Sequence, residues 1–127
     1  CIDCLNGKPG IYSARWAKKY GNFNKAGKKI IELVKKKNKN KIIKNFKAKF
    51  VCSLTFYYKS AKKITTIGVV EGKISEKLLG KKGFGYDPIF IPKSGKKTFG
   101  QMNKRKKILI DHRFIAFKKL KRKINIL

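Results

Sequence analysis

Few residues in this chain can do chemistry. The carboxylates are Asp3, Glu32, Glu71, Glu76, Asp87 and Asp111, and no two stand three or four apart, the spacing that shares a helix face. A Mg²⁺ site wants carboxylates beside substrate phosphates, and no such cluster is visible. The one histidine, His112, is followed directly by Arg113. Two adjacent donors at a helix start suit a carbonyl oxygen or a phosphate. A lone histidine there also fits a structural or merely exposed role. Ser13 or Cys52 as a nucleophile would need a base beside it in space, and nothing local supplies one. No stretch reads Gly-x-x-x-x-Gly-Lys-Ser/Thr, so a P-loop is absent.

The densest cluster of useful groups is Gly80-Lys81-Lys82-Gly83-Phe84-Gly85-Tyr86-Asp87-Pro88-Ile89-Phe90. So much Gly and Pro excludes a helix. The stretch reads as a glycine-shaped loop running into a short strand, Ile89-Phe90-Ile91, closed by Pro92. Gly83 and Gly85 let the backbone approach something flat or anionic. Phe84 and Tyr86 offer ring faces, and Asp87 offers acceptors. A tight turn with two core aromatics explains the same residues.

The elements around this loop follow from local patterning. Cys1–Leu5 alternates and reads as a strand end, and a chain opening in mid-strand without Met reads as missing its beginning. Asn6–Gly10 is turn chemistry. Ser13 is placed to cap a helix over Ala14–Tyr20 that Gly21 ends. Asn22 or Asn24 caps a second helix to about Lys37, with Ala26, Ile30, Ile31, Leu33 and Val34 on one face. Lys35–Lys41 reads as a basic connector. Phe46–Tyr58 and Lys63–Gly72 read as an antiparallel pair joined through Lys59–Lys62. Gly68 and Gly72 mark a bulge or a close backbone approach, and Lys73–Lys82 is a loop. Lys93–Lys96 is a turn. Asn103 caps a short helix to about Leu109. Asp111 caps the last helix, His112–Lys123, whose apolar face is Ile115, Ala116 or Phe117, and Leu120.

At 127 residues the chain is one domain at most, and 42% hydrophobic residues can form a core. The net charge of +29 suggests a polyanionic partner. Against that, only four of the basic residues are Arg (Arg15, Arg105, Arg113, Arg122), and the lysines are spread along the chain. An AT-rich codon bias accounts for the Lys, Ile, Asn and Phe excess as well. Cys1, Cys4 and Cys52 are an odd set that argues against a disulfide framework. Cys1-x-x-Cys4 has no second pair to complete a zinc site, so small buried side chains are expected. No apolar run approaches the roughly 20 residues of a membrane span.

Three blocks in order carry a resemblance. They are Leu5–Trp16 (Leu-Asn-Gly-Lys-Pro-Gly-Ile-Tyr-Ser-Ala-Arg-Trp), Gly83–Phe90, and Thr98-Phe99 with Lys107, His112-Arg113 and Ala116 behind it. With Gly68 and Gly72 ahead of the central block, they resemble the noncanonical purine nucleoside triphosphate pyrophosphatases, also called inosine/xanthosine triphosphate pyrophosphatases. The resemblance spans nearly the whole chain. It implies an α/β fold with an elongated mixed sheet flanked by helices and a two-lobed nucleotide cleft. It further implies a cytoplasmic homodimer that uses Mg²⁺ to hydrolyse dITP, ITP and XTP to the monophosphate and pyrophosphate. Residues 1–127 would be the C-terminal portion of a single pyrophosphatase domain, carrying base recognition.

By the same resemblance Phe84, Gly85, Tyr86 and Asp87 lie on base and sugar, Lys107 reaches the nucleotide, and His112 and Arg113 contact the 6-oxo group. Aromatic rings stack on purines. The family's Ser/Thr-x-Asn-x-x-Lys phosphate loop, its metal-binding Glu and its Asp-Asp-Ser-Gly segment are not in this sequence. The catalytic Asp is expected just upstream of Cys1, and neither a catalytic nor a metal-binding residue is expected within the chain. Gln101, Arg105-Lys106, Ile108, Asp111 and Phe114 depart from the family's usual residues. Two other readings remain: a basic nucleic-acid-binding module and a non-catalytic degenerate relative.

Overall fold

The computed structural model describes residues 1–127. Two helices come first, α1 (Ser13–Tyr20) and α2 (Phe23–Asn38). A long antiparallel hairpin follows, β1 (Lys47–Tyr58) and β2 (Lys62–Ile74), and the short β3 (Phe90–Pro92) adds to the far end of β2. Two more helices close the chain, α3 (Lys104–Lys107) and α4 (His112–Ile124). The fold is α/β as expected. The sheet order is β1-β2-β3, and every pairing within this chain is antiparallel.

Side-chain caps start three of the helices where the sequence puts them, but not α1: Ser13 is its first residue rather than its cap, and its Oγ donates to the Gly10 carbonyl instead. The Asn22 side chain accepts from the Lys25 amide at 2.8 Å, Asn103 from Arg105 at 2.8 Å, and Asp111 from Phe114 at 2.9 Å. Gly21, at φ 114°, ends α1 in a conformation that a side chain resists. α2 turns Ala26, Ile30, Ile31 and Val34 inward, at 0–8% exposure, and leaves its lysines in water. These residues cluster with Ile2, Leu5, Val70, Ile74, Ile89, Phe90 and Phe99. Phe50 stacks across to Phe90, ring centroids 4.3 Å apart, and to Phe99, 6.0 Å apart. Burying a ring such as Phe90 contributes about 1.5–3 kcal/mol. α4 lies across β2, where Ala116 and Leu120 are buried and Thr66 Oγ1 donates to the Ala116 carbonyl at 2.8 Å.

Several expectations need correcting. Cys1–Leu5 is not a strand: Asp3–Leu5 is a 3₁₀ turn, and only Ile2 makes a β-bridge, to Ala48. Ile2 and Leu5 are both buried in one cluster, whereas a strand would send residues three apart to opposite faces. The connector starts later than Lys35, because α2 runs on to Asn38. Asn38 is buried: its Nδ2 donates to the carbonyls of Val34 (2.8 Å) and Asn45 (3.0 Å), and its Oδ1 accepts from the Asn45 amide (2.7 Å). β2 extends to Ile74, past the expected Gly72, because its last residues pair with β3. Residues 87–89 form a 3₁₀ turn, so β3 starts at Phe90 rather than Ile89. α3 stops at Lys107, two residues short. The three cysteines are free but half-buried rather than fully buried. Gly68 and Gly72 mark close approaches and not a bulge, since the β1–β2 register runs unbroken through both.

Candidate functional site

The Gly80–Phe90 loop is held by its own carboxylate. Asp87 Oδ2 accepts from the Phe84 amide at 3.0 Å and from Lys107 Nζ at 2.7 Å. Both charged side chains are buried, 4% and 6% exposed. A Cβ at Gly83, which has φ 74°, would collide with that oxygen. The glycine therefore lets the chain wrap its own aspartate. Lys107 arrives from α3, twenty residues on, and neutralises a charge that would otherwise be buried alone.

This clamp presents Phe84 outward, 53% exposed. Lys107 Nζ lies 4.5 Å from the Phe84 ring centroid, and Arg113 Cζ lies 4.3 Å from it. Both are cation–π distances. Arg113 reaches the ring from the first turn of α4, whose amide ends Asp111 caps. The three side chains border a cavity of about 570 Å³ whose wall also includes Met102, Ile108, Phe114 and Phe117. That volume suits a small organic ligand. A second concavity of equal volume, around Lys47, Lys49, Lys73 and Lys93, includes Gly72 but none of Phe84, Lys107, His112 and Arg113. Its lining sets lysines beside Asp3 and Glu71 and has no aromatic ring, and the chemistry favours the first.

Other expected site residues lie behind the wall. Tyr86 is turned into the core, 9% exposed, edge-on to Phe23 with centroids 5.2 Å apart, and its hydroxyl donates to the Ser13 carbonyl at 2.6 Å. Burial raises its pKa above the usual tyrosine value. Gly85, at φ 61°, lets the chain make that turn. Asp87 is committed to the clamp. His112 packs on Phe50, ring centroids 5.0 Å apart, and its Nδ1 is buried without a hydrogen-bond partner. Its pKa is lowered, chiefly by burial, with Asp111 opposing the shift and Arg113 and Lys107 adding to it. The imidazole is therefore neutral near pH 7. The structure thus gathers Phe84, Lys107 and Arg113 at the cavity, with Asp87 clamping from beneath. Sequence reasoning missed Phe117 as a wall residue. Its position three after Phe114, on the same helical face, was the available signal.

The arrangement is an α/β scaffold whose glycine loop and capped helix start converge on an aromatic and cationic cavity. The chain belongs to the Ham1 family, whose profile matches residues 1–123. It is 46% identical over 121 residues to the dITP/XTP pyrophosphatase of Dictyoglomus thermophilum, covering 94% of this chain and 57% of that protein. Against the dITP/XTP pyrophosphatase of Clostridium perfringens it is 42% identical over 120 residues, with the same two coverages. The solved HAM1 protein of Coxiella burnetii superposes with a TM-score of 0.87 at 29% identity, over 99% of this chain and 63% of that one. The Staphylococcus aureus Ham1 protein superposes at 0.77 with 35% identity, over 98% of this chain and 62% of that one. The chain thus spans 57–63% of the length of these relatives, less than two-thirds.

Proposed function

We propose that this chain is the C-terminal, base-recognising portion of a single pyrophosphatase domain. The whole enzyme hydrolyses noncanonical purine nucleoside triphosphates (dITP, ITP and XTP) to the monophosphate and pyrophosphate. The convergence of Phe84, Lys107 and Arg113 on one cavity carries this reading. Relatives named dITP/XTP pyrophosphatase that match 94% of the chain support it. Arg113 donates to the 6-oxo oxygen, and His112 stands next to it with one ring nitrogen unpaired. Adenine offers an amino group at that position, which leaves a donor unpaired at a cost of about 1–3 kcal/mol. Gly85 and Tyr86 shape the loop, and the Asp87–Lys107 clamp orients Phe84.

The reaction is read as Mg²⁺-dependent on the same resemblance. The residues present do not fit a metal: no three His, Cys, Asp or Glu side chains come together, and Asp87 and Asp111 are both engaged within the chain. The groups that would hold the metal and break the bond are therefore read as lying outside these residues.

A cytoplasmic homodimer completes the reading. The outward face of the hairpin, with Val51, Tyr57, Ile67 and Val69 exposed, is a surface a second copy can cover. No helix is long and apolar enough to cross a membrane.

Calorimetric titration of the 127-residue chain with IMP and AMP tests the reading. IMP is expected to bind about tenfold or more tightly than AMP, and Arg113→Ala to abolish that preference. Equal affinity for the two nucleotides, or pyrophosphate release from ITP by this chain near the rate of a whole relative, would overturn it.

A further inference from the structure

A third concavity, of about 820 Å³, opens beside the Phe84 cavity and shares only Met102 with it. Four lysines line it, Lys82, Lys96, Lys97 and Lys106, and no carboxylate does. The concavity around Lys47 and Lys49 holds as many lysines but sets Asp3 and Glu71 among them. Two amide side chains in the lining, Gln101 and Asn103, commit their oxygens to the backbone. Gln101 Oε1 accepts from the Thr98 amide at 3.1 Å, and Asn103 Oδ1 accepts from the Arg105 amide at 2.8 Å. The NH₂ group of each is left to donate. The walls are braced. The Lys82 amide donates to the Gly100 carbonyl at 2.8 Å, and the Gly95 amide to the Pro92 carbonyl at 3.0 Å. A Cβ at Gly80 would collide with the backbone of Gly100 and Gln101, so these two segments touch directly. When something binds here, the lysine stems need ordering and the backbone does not.

Like charges gathered round one concavity repel one another, and an anion seated among them relieves that repulsion. We propose that this concavity is a binding site for condensed phosphate, an anion of two or three linked phosphoryl groups. One phosphate, a few times the roughly 30 Å³ of a water molecule, fills little of the space. A linked chain presents oxygens to several walls at once. Lysine suits this ligand, because its ammonium is a rotatable point charge that can follow a flexible anion, whereas the planar arginine fork fixes one geometry. The amides of Gln101 and Asn103 add neutral donors to the same lining. A free condensed phosphate and the tail of a nucleoside polyphosphate share this chemistry. Phe84, Lys107 and Arg113 take no part in the site, so the inference stands apart from the nucleotide reading above.

Calorimetry on the 127-residue chain tests it with orthophosphate, tripolyphosphate and ATP, at about 0.15 M salt, where charges are screened within about 8 Å. Tripolyphosphate is expected to bind about tenfold or more tightly than orthophosphate, and the double variant Lys96→Gln/Lys106→Gln to lose about tenfold of that affinity. Lys47→Gln/Lys49→Gln removes the same charge from the other lysine group and is expected to lose less than about threefold. All four lysines are exposed, and circular dichroism checks that both variants keep the fold. ATP affinity no greater than that of tripolyphosphate assigns the free anion. A greater ATP affinity that Lys96→Gln/Lys106→Gln removes assigns the nucleotide tail. Equal losses of tripolyphosphate affinity in the two variants would reduce the binding to attraction by the net charge of +29 and overturn the site. An unsubstituted chain that binds no tripolyphosphate, or binds it no better than orthophosphate, overturns it as well.

Discussion

The backbone of Gly68 on β2 lies so close to the carbonyl oxygen of His112 that a Cβ at position 68 would collide with it. The same Cβ would press on the amide and Cβ of Ala116. The first turn of α4, which carries Arg113, is thus seated directly on the sheet. Gly68→Ala is expected to cost roughly 2–3 kcal/mol in a urea unfolding series and to weaken IMP binding through displacement of Arg113. A stability loss below about 0.5 kcal/mol would mean that α4 yields without consequence.

Lys107 and Asp87 are a buried pair, and the two partners are not expendable one at a time. Lys107→Met leaves a buried carboxylate uncompensated and is expected to destabilise by about 3–5 kcal/mol. Adding Asp87→Asn should recover part of that loss, so a double-mutant cycle by denaturant unfolding should show positive coupling. Strict additivity would show that the two groups act independently.

His112 is the single histidine, so its imidazole proton resonances can be followed without ambiguity. Its pKa is expected below the ordinary 6.5, because burial disfavours the charged ring. The sign for stability follows from linkage. Between the folded and unfolded pKa values the unfolded chain binds more protons, so this contribution is complete above about 6.5 and is lost as pH falls below it. His112→Gln should therefore flatten the pH dependence of the melting temperature on the acid side of neutrality. A measured pKa above 6.5 would contradict the burial argument.

Two threonines offer the same chemical change in opposite settings. Thr66 donates from a buried site to the Ala116 carbonyl, whereas Thr55 and Thr65 pair at 2.9 Å on the exposed face. Thr66→Val should cost about 0.5–1.5 kcal/mol, and Thr55→Val close to nothing. Equal effects would indicate that α4 is not tied to β2 through this bond.

Much of this organisation is legible in local chemistry. The caps at Asn22, Asn103 and Asp111 need only a side chain and an amide two or three residues on. The apolar stripe of α2 and the strand character of β1 are periodic signals. Gly68 and Gly72 announce a close approach, although only the folded chain shows that α4 and β3 are what approach. The misreadings share a cause. Residues 1–5 alternate like a strand, but the tertiary setting draws Ile2 and Leu5 to the same side. On α4, Ala116 and Phe117 are equally plausible inward residues by spacing, and only the width left beside Gly68 selects alanine. The partner of Asp87 is likewise invisible to any local rule, because Lys107 lies twenty residues away. The aromatic loop suggests two rings for a ligand, yet the Tyr86 hydroxyl finds the Ser13 carbonyl and only Phe84 turns outward.

Only two ion pairs, Lys107–Asp87 and the exposed Lys29–Glu32 at 3.5 Å, hold any of the 35 basic residues against a carboxylate. The rest repel one another across a small body, and folding draws them closer together. The solvent's anions therefore act as a component of this fold. As salt rises from 0.1 M to 1 M, the screening length shrinks from about 10 Å to about 3 Å, and the compact state gains relative to the open chain. The ionic medium sets the working stability of this protein as directly as any residue in its core.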